Sequence, residues 1–420
     1  MKFEELGLRP EILKAVAFKG YKTVTPIQAQ SIPAIIEGKD VMGGAQTGTG
    51  KTAAFALPII EKLSKIPAIS KHPRALIITP TRELAEQIGE SFKNYGTYLK
   101  LKQATIYGGV NIKQQKSTLK NGTDIVIATP GRLLDHLSQN TICLSQIETL
   151  VLDEADRMLD MGFIRDIKKI ISFLPQVRQN LLFSATYGKD IKSLAAGILK
   201  NPLSVEVAAR NSTADKVEQK IHLIERGQKR HLLAHLVKEE SWYQVLVFVR
   251  TKHGANRLAS QLLKNGIPSS SIHGDKSQGA RTRALSEFKN GNLQALVATD
   301  VAARGIDMEN LSHVVNYDLP QTPEDYIHRI GRTGRAGKSG IAISLVSPEE
   351  KKQLLQIEKL LKRSLLVETV KGFKPVANQD GNNPNPKQNH KPSTFNSKKK
   401  RDDPFRYRKP GPQKRRGQSA

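Results

Sequence analysis

The chain has 420 residues and is strongly basic, since 66 Lys and Arg residues against 39 Asp and Glu residues give a formal net charge of +27. A charge of this size favours a polyanionic partner, nucleic acid before an anionic membrane surface, because each neutralised phosphate releases condensed counterions. The single cysteine, Cys143, excludes an intrachain disulfide and a cysteine-rich zinc site, and we predict that it is a buried filler residue. Because no apolar run matches a signal peptide or a membrane span, we expect a cytoplasmic protein, cytosolic or nucleoid-associated, without membrane contact.

Short apolar runs alternate with amphipathic segments up to residue 368, which predicts an α/β fold with doubly wound parallel sheets. The predicted strands of the first series lie at 75–79, 124–128, 150–152 and 181–183. A second series begins near Gln219, and its predicted strands lie at 245–249, 295–298, 313–315 and 341–345. Small and polar residues at 208–215 predict a linker between one domain at 1–207 and another at 216–368.

The C-terminal segment has a different composition from the rest of the chain. From Lys371 onward it holds 14 Lys and Arg residues and 3 Asp residues, so it carries +11 and leaves +16 on the preceding residues. Its few apolar residues cannot offset the entropy of ordering, and we predict a disordered basic tail over 369–420. Phe395, Phe405 and Tyr407 lie between its basic clusters, a pattern that suits stacking on unpaired bases. A solubilising tail without specific contacts is the alternative.

A glycine-rich segment between a predicted strand and a predicted helix is the most informative part of the sequence. It consists of Ala45, Gln46, Thr47, Gly48, Thr49, Gly50, Lys51 and Thr52. Backbone amides at such a helix start bind nucleotide phosphates, Lys51 would reach the β- and γ-phosphates, and Thr52 would support Mg²⁺. Ala45 stands where the general phosphate-loop pattern has Gly. Taken alone, the segment could also be a glycine-rich turn without function.

An acidic segment, Asp153-Glu154-Ala155-Asp156, follows the predicted strand at 150–152. A carboxylate at a strand end beside a phosphate loop is the second metal-binding element of NTPases that use Mg²⁺. Asp153 would hold Mg²⁺ through its water shell, and Glu154 would orient and deprotonate the attacking water. A solvated acidic turn is the alternative if the segment stood alone.

These motifs and their order resemble those of the DEAD-box RNA helicases of superfamily 2, and of the bacterial RhlE type in particular, over residues 3–365. The resemblance implies two tandem RecA-like domains and an ATP-dependent helicase that locally opens RNA duplexes or remodels RNA–protein complexes. It also implies ATP and Mg²⁺ as cofactors, RNA-stimulated hydrolysis and a monomer. RNA would be bound largely without sequence specificity. Ribosomal precursor particles and the RNA-degradation machinery are candidate partners, in ribosome assembly or RNA turnover.

The resemblance also assigns residues around the nucleotide. Gln28 would read the adenine and Phe3 would pack on the base, although Val24 stands where the family commonly has Pro. The coupling of the nucleotide state to domain closure is assigned to Asp156, Ser184, Thr186, Arg304, His328 and Arg329.

The second domain has no phosphate loop of its own, and the resemblance makes it complete the ATP site. Asp307 would face the ribose, while Arg332 and Arg335 would enter the cleft as arginine fingers. Arginines at this density need an anion, because an uncompensated buried charge is strongly destabilising. A basic surface helix is the alternative.

Contacts with the RNA backbone are assigned by the resemblance to strand ends and helix starts in both domains. In the first domain they are Pro80, Thr81, Arg82, Gly109, Thr129, Pro130, Gly131 and Arg132. In the second domain they are Arg250, Thr251, Gly274, Gln278, Arg281 and Thr299. Read singly, each segment could be an ordinary helix cap. Contacts of this kind position a strand without reading its sequence.

Two other functions stay open from the sequence. One is a non-catalytic RNA chaperone or scaffold, against which the intact phosphate loop, acidic segment and arginines count. The other is a helicase that acts on DNA, against which Gln28 and the acidic segment count. An ATPase assay with and without RNA separates the first alternative from an enzyme.

The tail is expected to act as a tether for RNA. Removing residues 371–420 should leave basal ATP hydrolysis nearly intact but weaken RNA binding. If five of the lost charges lie near phosphates, the slope of log affinity against log salt should fall by roughly 3–4 for single strands, at about 0.7 per contact. Duplex binding by both proteins across a salt series measures this slope. Equal slopes would show that the tail does not contribute.

Overall fold

The computed structural model describes residues 1–44, 49–66, 70–206, 217–303, 311–334 and 340–373. Over these residues the chain forms two parallel seven-stranded sheets with flanking helices, so the predicted tandem α/β architecture is confirmed. The predicted linker and the phosphate-loop residues 45–48 lie outside the described residues.

The first sheet has the strand order β3-β4-β2-β5-β6-β1-β7, and every neighbouring pair is parallel. Its strands are β1 (Val41–Gly44), β2 (Ala75–Ile78), β3 (Gln103–Ile106), β4 (Ile125–Ala128), β5 (Thr149–Leu152), β6 (Gln179–Ser184) and β7 (Leu203–Glu206). The helices are α1 (Pro10–Phe18), α2 (Pro26–Ile36), α3 (Lys51–Lys65), α4 (Arg82–Tyr95), α5 (Ile112–Lys120), α6 (Pro130–Ser138), α7 (Ala155–Asp160), α8 (Ile164–Ile171) and α9 (Lys189–Ala196), with a 3-10 turn at Phe3–Leu6.

The second sheet has the order β10-β11-β9-β12-β13-β8-β14, which repeats the connectivity of the first sheet. Its strands are β8 (Val217–Leu223), β9 (Val245–Phe248), β10 (Ser269–Ile272), β11 (Ala295–Ala298), β12 (His313–Asn316), β13 (Gly340–Val346) and β14 (Leu366–Val367). The helices are α10 (Lys229–Glu239), α11 (Lys252–Lys264), α12 (Gln278–Lys289), α13 (Asp300–Ala303), α14 (Pro323–Ile330) and α15 (Lys351–Leu361), with a 3-10 turn at Pro348–Glu350.

Strands β2, β4 and β9 are apolar at every position because helices cover both faces of each sheet. All four residues of β2, β4 and β9 are buried, and two core clusters lie on opposite faces of the first sheet. Parallel strands all end at one edge of a sheet, and the predicted site residues follow strand ends. The fold therefore gathers them along that edge.

The residues at the predicted start of the C-terminal tail contact the second domain. Val370 and Phe373 pack against the second core, and the Phe373 ring lies 5.4 Å from the His235 ring. A truncation that tests the tail should therefore retain Phe373.

The prediction that Cys143 is buried is wrong. Its thiol is exposed because the residue lies in the loop between α6 and β5, and its Sγ lies 3.1 Å from Ser145 Oγ.

Candidate functional site

The phosphate loop and the predicted adenine reader are in direct contact. Gly50 has a φ of 90°, in the left-handed region that favours glycine, and α3 begins at the next residue. Gln28 Nε2 donates to the Gly50 carbonyl at 3.2 Å, while Gln28 Oε1 accepts from Thr25 N at 3.0 Å. Glycine suits position 50 for two reasons: φ is positive there, and the Gln28 amide lies close to where a side chain would begin. Thr49 and Thr52 flank these residues and are partly buried.

Lys51 and Asp153 form the electrostatic centre of this edge. The Lys51 side chain is buried, and its Nζ has no hydrogen-bond partner among the described residues. Asp153 follows β5 and is also buried; burial raises its pKa to about 6, although the nearby Lys51 ammonium opposes the rise. A buried ammonium without a hydrogen bond and a carboxylate whose ionised form is disfavoured both call for a charged ligand. They fit a polyphosphate with a divalent cation.

Glu154 is held in an unusual backbone conformation. Its φ of 51° and ψ of 52° place a non-glycine residue in the left-handed region, at the start of α7. Its side chain is buried, and Oε2 lies 3.6 Å from Arg157 Nε without a hydrogen bond among the described residues. Strain of this kind persists where the surrounding structure determines it, and the Glu154 carboxylate lies close enough to Asp153 for its charge to raise the Asp153 pKa.

Asp156 joins the acidic segment to the end of β6. Its Oδ2 accepts hydrogen bonds from Ala185 N at 3.1 Å, Thr186 N at 3.0 Å and Thr186 Oγ1 at 3.2 Å. Ser184 Oγ donates to the Thr186 carbonyl at 2.7 Å, which fixes the same turn. The structure therefore brings together Asp156, Ser184 and Thr186, the three first-domain residues assigned to coupling.

Phe3 is only 3% exposed and is part of the first core cluster. Its ring stacks on Tyr21, with the centroids 6.5 Å apart, and Tyr21 is 45% exposed. Tyr21 thus presents the accessible aromatic face beside Phe3. Sequence reasoning missed it, although an aromatic residue next to the Gln28 segment was a usable signal.

The arginine segment of the second domain meets the acidic segment of the first. Arg157, His328 and Arg332 line one narrow cleft, and Arg332 is 3% exposed. Burial and the positive charge of Arg157 lower the pKa of His328, and the Asp156 carboxylate partly opposes that effect. His328 is therefore neutral at physiological pH, and its pKa depends on the charges of Arg157 and Asp156 across the domain boundary.

Arg329 is occupied within the second domain. Its Nε and Nη2 contact the two Asp300 oxygens at 2.6 and 2.7 Å, and Nη1 donates to Asn316 Oδ1 at 3.0 Å and to the Asp318 carbonyl at 2.7 Å. This fully paired guanidinium links the end of β11 to α14. Arg304, Asp307 and Arg335 lie outside the described residues.

The predicted RNA contacts of the first domain form one strip along the sheet edge. Thr81 follows the buried Pro80 and caps α4 by accepting from Leu84 N at 3.3 Å. The Arg82 guanidinium packs against Gly109, whose φ of 82° lies in the left-handed region that favours glycine.

Around α6, Thr129 and Pro130 are buried, whereas Gly131 is exposed with open space around it. Arg132 Nη1 donates to the Val110 carbonyl and to Gln115 Oε1, both at 3.2 Å. Part of the Arg132 guanidinium therefore stabilises the protein itself.

The predicted RNA contacts of the second domain fall into two groups. Arg250, Thr251 and Gly274 are exposed, and Thr299 is buried at the end of β11. Gln278 and Arg281 are buried and contact Glu83 of the first domain instead of solvent: Gln278 Nε2 donates to Glu83 Oε1 at 3.1 Å, and Arg281 Nη2 lies 2.9 Å from Glu83 Oε2. Glu83 was missed by sequence reasoning, and an RNA contact of Gln278 or Arg281 stays a prediction.

We expect Asp153→Asn to stabilise the protein without nucleotide and metal. The Asp153 pKa is about 6 in the folded protein against 3.8 in the unfolded chain, so its contribution to the free energy of unfolding falls as pH rises from about 4 to 6. The variant should gain up to about 3 kcal/mol above pH 6 and nothing near pH 3.5. Urea unfolding in EDTA across this range measures the difference, and a gain that does not change with pH would contradict the assignment.

Comparisons with known proteins identify the family of this chain. The model of the DEAD/DEAH box helicase family matches residues 25–194, and that of the helicase conserved C-terminal domain matches residues 228–337. The ATP-dependent RNA helicase CshA of Limosilactobacillus reuteri is 45% identical over 368 residues, 87% of this chain and 73% of that protein. The DEAD-box ATP-dependent RNA helicase CshA of Geobacillus kaustophilus is 45% identical over 364 residues, 86% of this chain and 77% of that protein.

Solved structures give the same result. Dbp5 of Saccharomyces cerevisiae bound to RNA and ADP BeF3 is similar with a TM-score of 0.78 and 33% identity, over 87% of this chain and 95% of that chain. Mss116p bound to ssRNA and AMP-PNP has a TM-score of 0.78 and 30% identity, over 88% of this chain and 79% of that chain. The RhlE-type assignment within the family stays a prediction. The family models, the relatives and the site geometry agree, and the chain belongs to the DEAD-box family of ATP-dependent RNA helicases.

Proposed function

We propose that this helicase hydrolyses ATP in a site divided between its two domains and uses the closed state to open short RNA duplexes. The observation that carries the proposal is the cleft shared by Arg157, which follows the acidic segment, and Arg332, which belongs to the second domain. Glu83 and Arg281 join the same two domains at the predicted RNA edge. Nucleotide and RNA would therefore favour the same closed arrangement.

The chain's own residues have distinct tasks in this site. Lys51 offers its unpaired ammonium to the β- and γ-phosphates, Gln28 reads the adenine, and Arg332 stabilises the charge that develops on the transferred phosphoryl group. Glu154 orients the attacking water and accepts its proton. Asp153 and Thr52 are the residues that would hold Mg²⁺, which when bound neutralises phosphate charge.

RNA stimulation follows from linkage. If RNA binds only the closed arrangement and Arg332 reaches ATP only there, each ligand raises the affinity for the other. The predicted RNA contacts are of a kind that grips backbone, so structured RNA should bind largely irrespective of sequence. Local opening would result because the closed cleft admits one strand and excludes its partner.

We further propose that the protein acts as a monomer in the cytoplasm, on ribosomal precursor particles or with the RNA-degradation machinery. The surplus of basic residues supports RNA-rich partners. Among the described residues, no helix has the length and apolar character to cross a bilayer. RNA crosslinking in cells followed by sequencing would identify the natural substrate.

We expect ATP hydrolysis to require RNA for most of its rate. Arg332 contributes only in the closed arrangement, and arginine fingers are worth roughly 10³–10⁵ in rate in other phosphoryl-transfer enzymes. Steady-state ATPase assays with and without single-stranded RNA test this, with Arg332→Ala as the comparison. Equal rates with and without RNA would contradict the divided site and would favour the chaperone alternative if both rates were negligible.

We expect Glu154→Gln to bind ATP and RNA but to turn over very slowly. The amide keeps the size of the side chain and loses the basic oxygen that the attacking water needs. A long-lived complex with ATP and RNA should accumulate and can be measured by native gel electrophoresis and single-turnover hydrolysis. Glu90→Gln, an exposed position with the same charge change, is the matched control. Wild-type turnover in Glu154→Gln would remove this residue from the chemical step.

A further inference from the structure

We infer that Glu350 is a positioning residue for RNA binding: it holds one edge of the Arg250 guanidinium so that the other edge can take an RNA phosphate. The inference rests on the proposed RNA contact of Arg250. No sequence motif pointed to Glu350, which ends the 3-10 turn between β13 and α15.

Glu350 is a buried carboxylate that receives hydrogen bonds from four residues. Its side chain is 6% exposed. The donors are Lys229 Nζ, Arg250 Nη2 at 3.2 Å, Leu319 N at 2.9 Å, Ser347 N at 3.1 Å and Ser347 Oγ at 3.0 Å. Burial alone would raise the pKa of Glu350, but the Lys229 ammonium and these hydrogen bonds hold it below its usual value. Glu350 is therefore ionised and fixed in one orientation.

The charges around this carboxylate do not balance. Lys229 is 1% exposed and needs Glu350, since an unpaired buried ammonium is strongly destabilising. Its other hydrogen bond goes to the Tyr317 carbonyl at 2.8 Å. Arg250 is the second cation on the same carboxylate, and its side chain is 41% exposed. Lys229, Arg250 and Glu350 together thus carry one net positive charge, and the cation that reaches solvent is Arg250. The nearby Asp318 carboxylate accepts from the backbone N of Arg250.

The backbone of Arg250 is fixed as well. Arg250 N donates to Asp318 Oδ2 at 2.9 Å, and the neighbouring Leu319 N donates to Glu350. Thr251, the next residue along the chain, caps α11 by accepting from Gly254 N at 3.0 Å. The loop after β12 and the loop after β9 are therefore held together by Glu350, with Arg250 and Thr251 at the predicted RNA edge. A guanidinium has five N–H donors in a rigid fork, so anchoring one edge leaves others aimed outward.

Charge counting and positioning predict opposite results for Glu350→Gln. The substitution raises the net charge by one, which by electrostatics alone strengthens RNA binding. If Glu350 positions Arg250, the KM for RNA in the ATPase assay should instead rise roughly threefold to tenfold, as for the weakening of one charge-assisted contact. The kcat at saturating RNA should change little.

A second variant keeps the test informative if Glu350→Gln does not fold. Lys229→Met with Glu350→Gln removes one charge of each sign, and replacing both partners of a buried pair is often tolerated. We expect this variant to show the same rise in KM and to lower the salt slope of single-strand binding by about 0.7, the value for one phosphate contact. Arg250→Ala should have the same two effects, and combining it with the pair should add nothing.

The matched control is another buried ion pair, Arg74 Nη2 with Asp124 Oδ1 at 2.7 Å, which lies in the first domain. Arg74→Met with Asp124→Asn should lower the melting temperature without changing the KM for RNA. Wild-type RNA affinity in the Lys229–Glu350 variant, with weakened binding in Arg250→Ala, would overturn the positioning role alone. Wild-type affinity in Arg250→Ala would remove the proposed RNA contact and the inference with it.

Discussion

Parallel strand pairing is the constraint on which the rest of the structure depends. Because every neighbouring pair in both sheets is parallel, the segments that leave the strands meet at a single edge of each sheet. Distant parts of the sequence, such as Gly50, Asp153 and Thr186, meet there without any long loop. The second sheet repeats the strand order of the first, so each domain offers an edge of the same design and two such edges can face one ligand.

Charged groups at these edges are buried, which distinguishes them from the ordinary surface of a basic protein. Lys51, Asp153 and Glu154 are each less than a tenth exposed, and Lys51 Nζ and Glu154 Oε2 have no hydrogen-bond partner among the described residues. Arg329 and Glu350, by contrast, are buried and saturated with partners. The unsaturated Lys51 and Glu154 lie on the nucleotide side of the first domain, whereas the saturated Arg329 and Glu350 stiffen the second domain. These reactive groups and these rigid supports thus lie in different domains, which suits a site assembled by closure.

Sequence reasoning succeeded where a local pattern is sufficient. Apolar runs such as Ile125–Ala128 were recognisable as strands because both of their faces are covered by helices. The more polar strands Gln103–Ile106 and Ser269–Ile272 were missed because each is an edge strand of its sheet and lacks a continuous apolar run. Glu83 and Glu350 could not be found in this way. Their partners are about 200 and 100 residues away, so only the folded structure brings them together.

The left-handed backbone of Glu154 restricts which residues this position can hold. The residues that adopt a positive φ most readily after glycine are asparagine and aspartate, whose side chains are shorter than that of glutamate by one methylene. The backbone therefore favours residues that cannot reach the water, while the chemistry needs a longer carboxylate that the backbone disfavours. Backbone strain and catalysis are therefore coupled at this position. Replacing Glu154 by a residue that adopts a positive φ more readily would stabilise the protein, but without hydrolysis the protein would bind RNA and not release it.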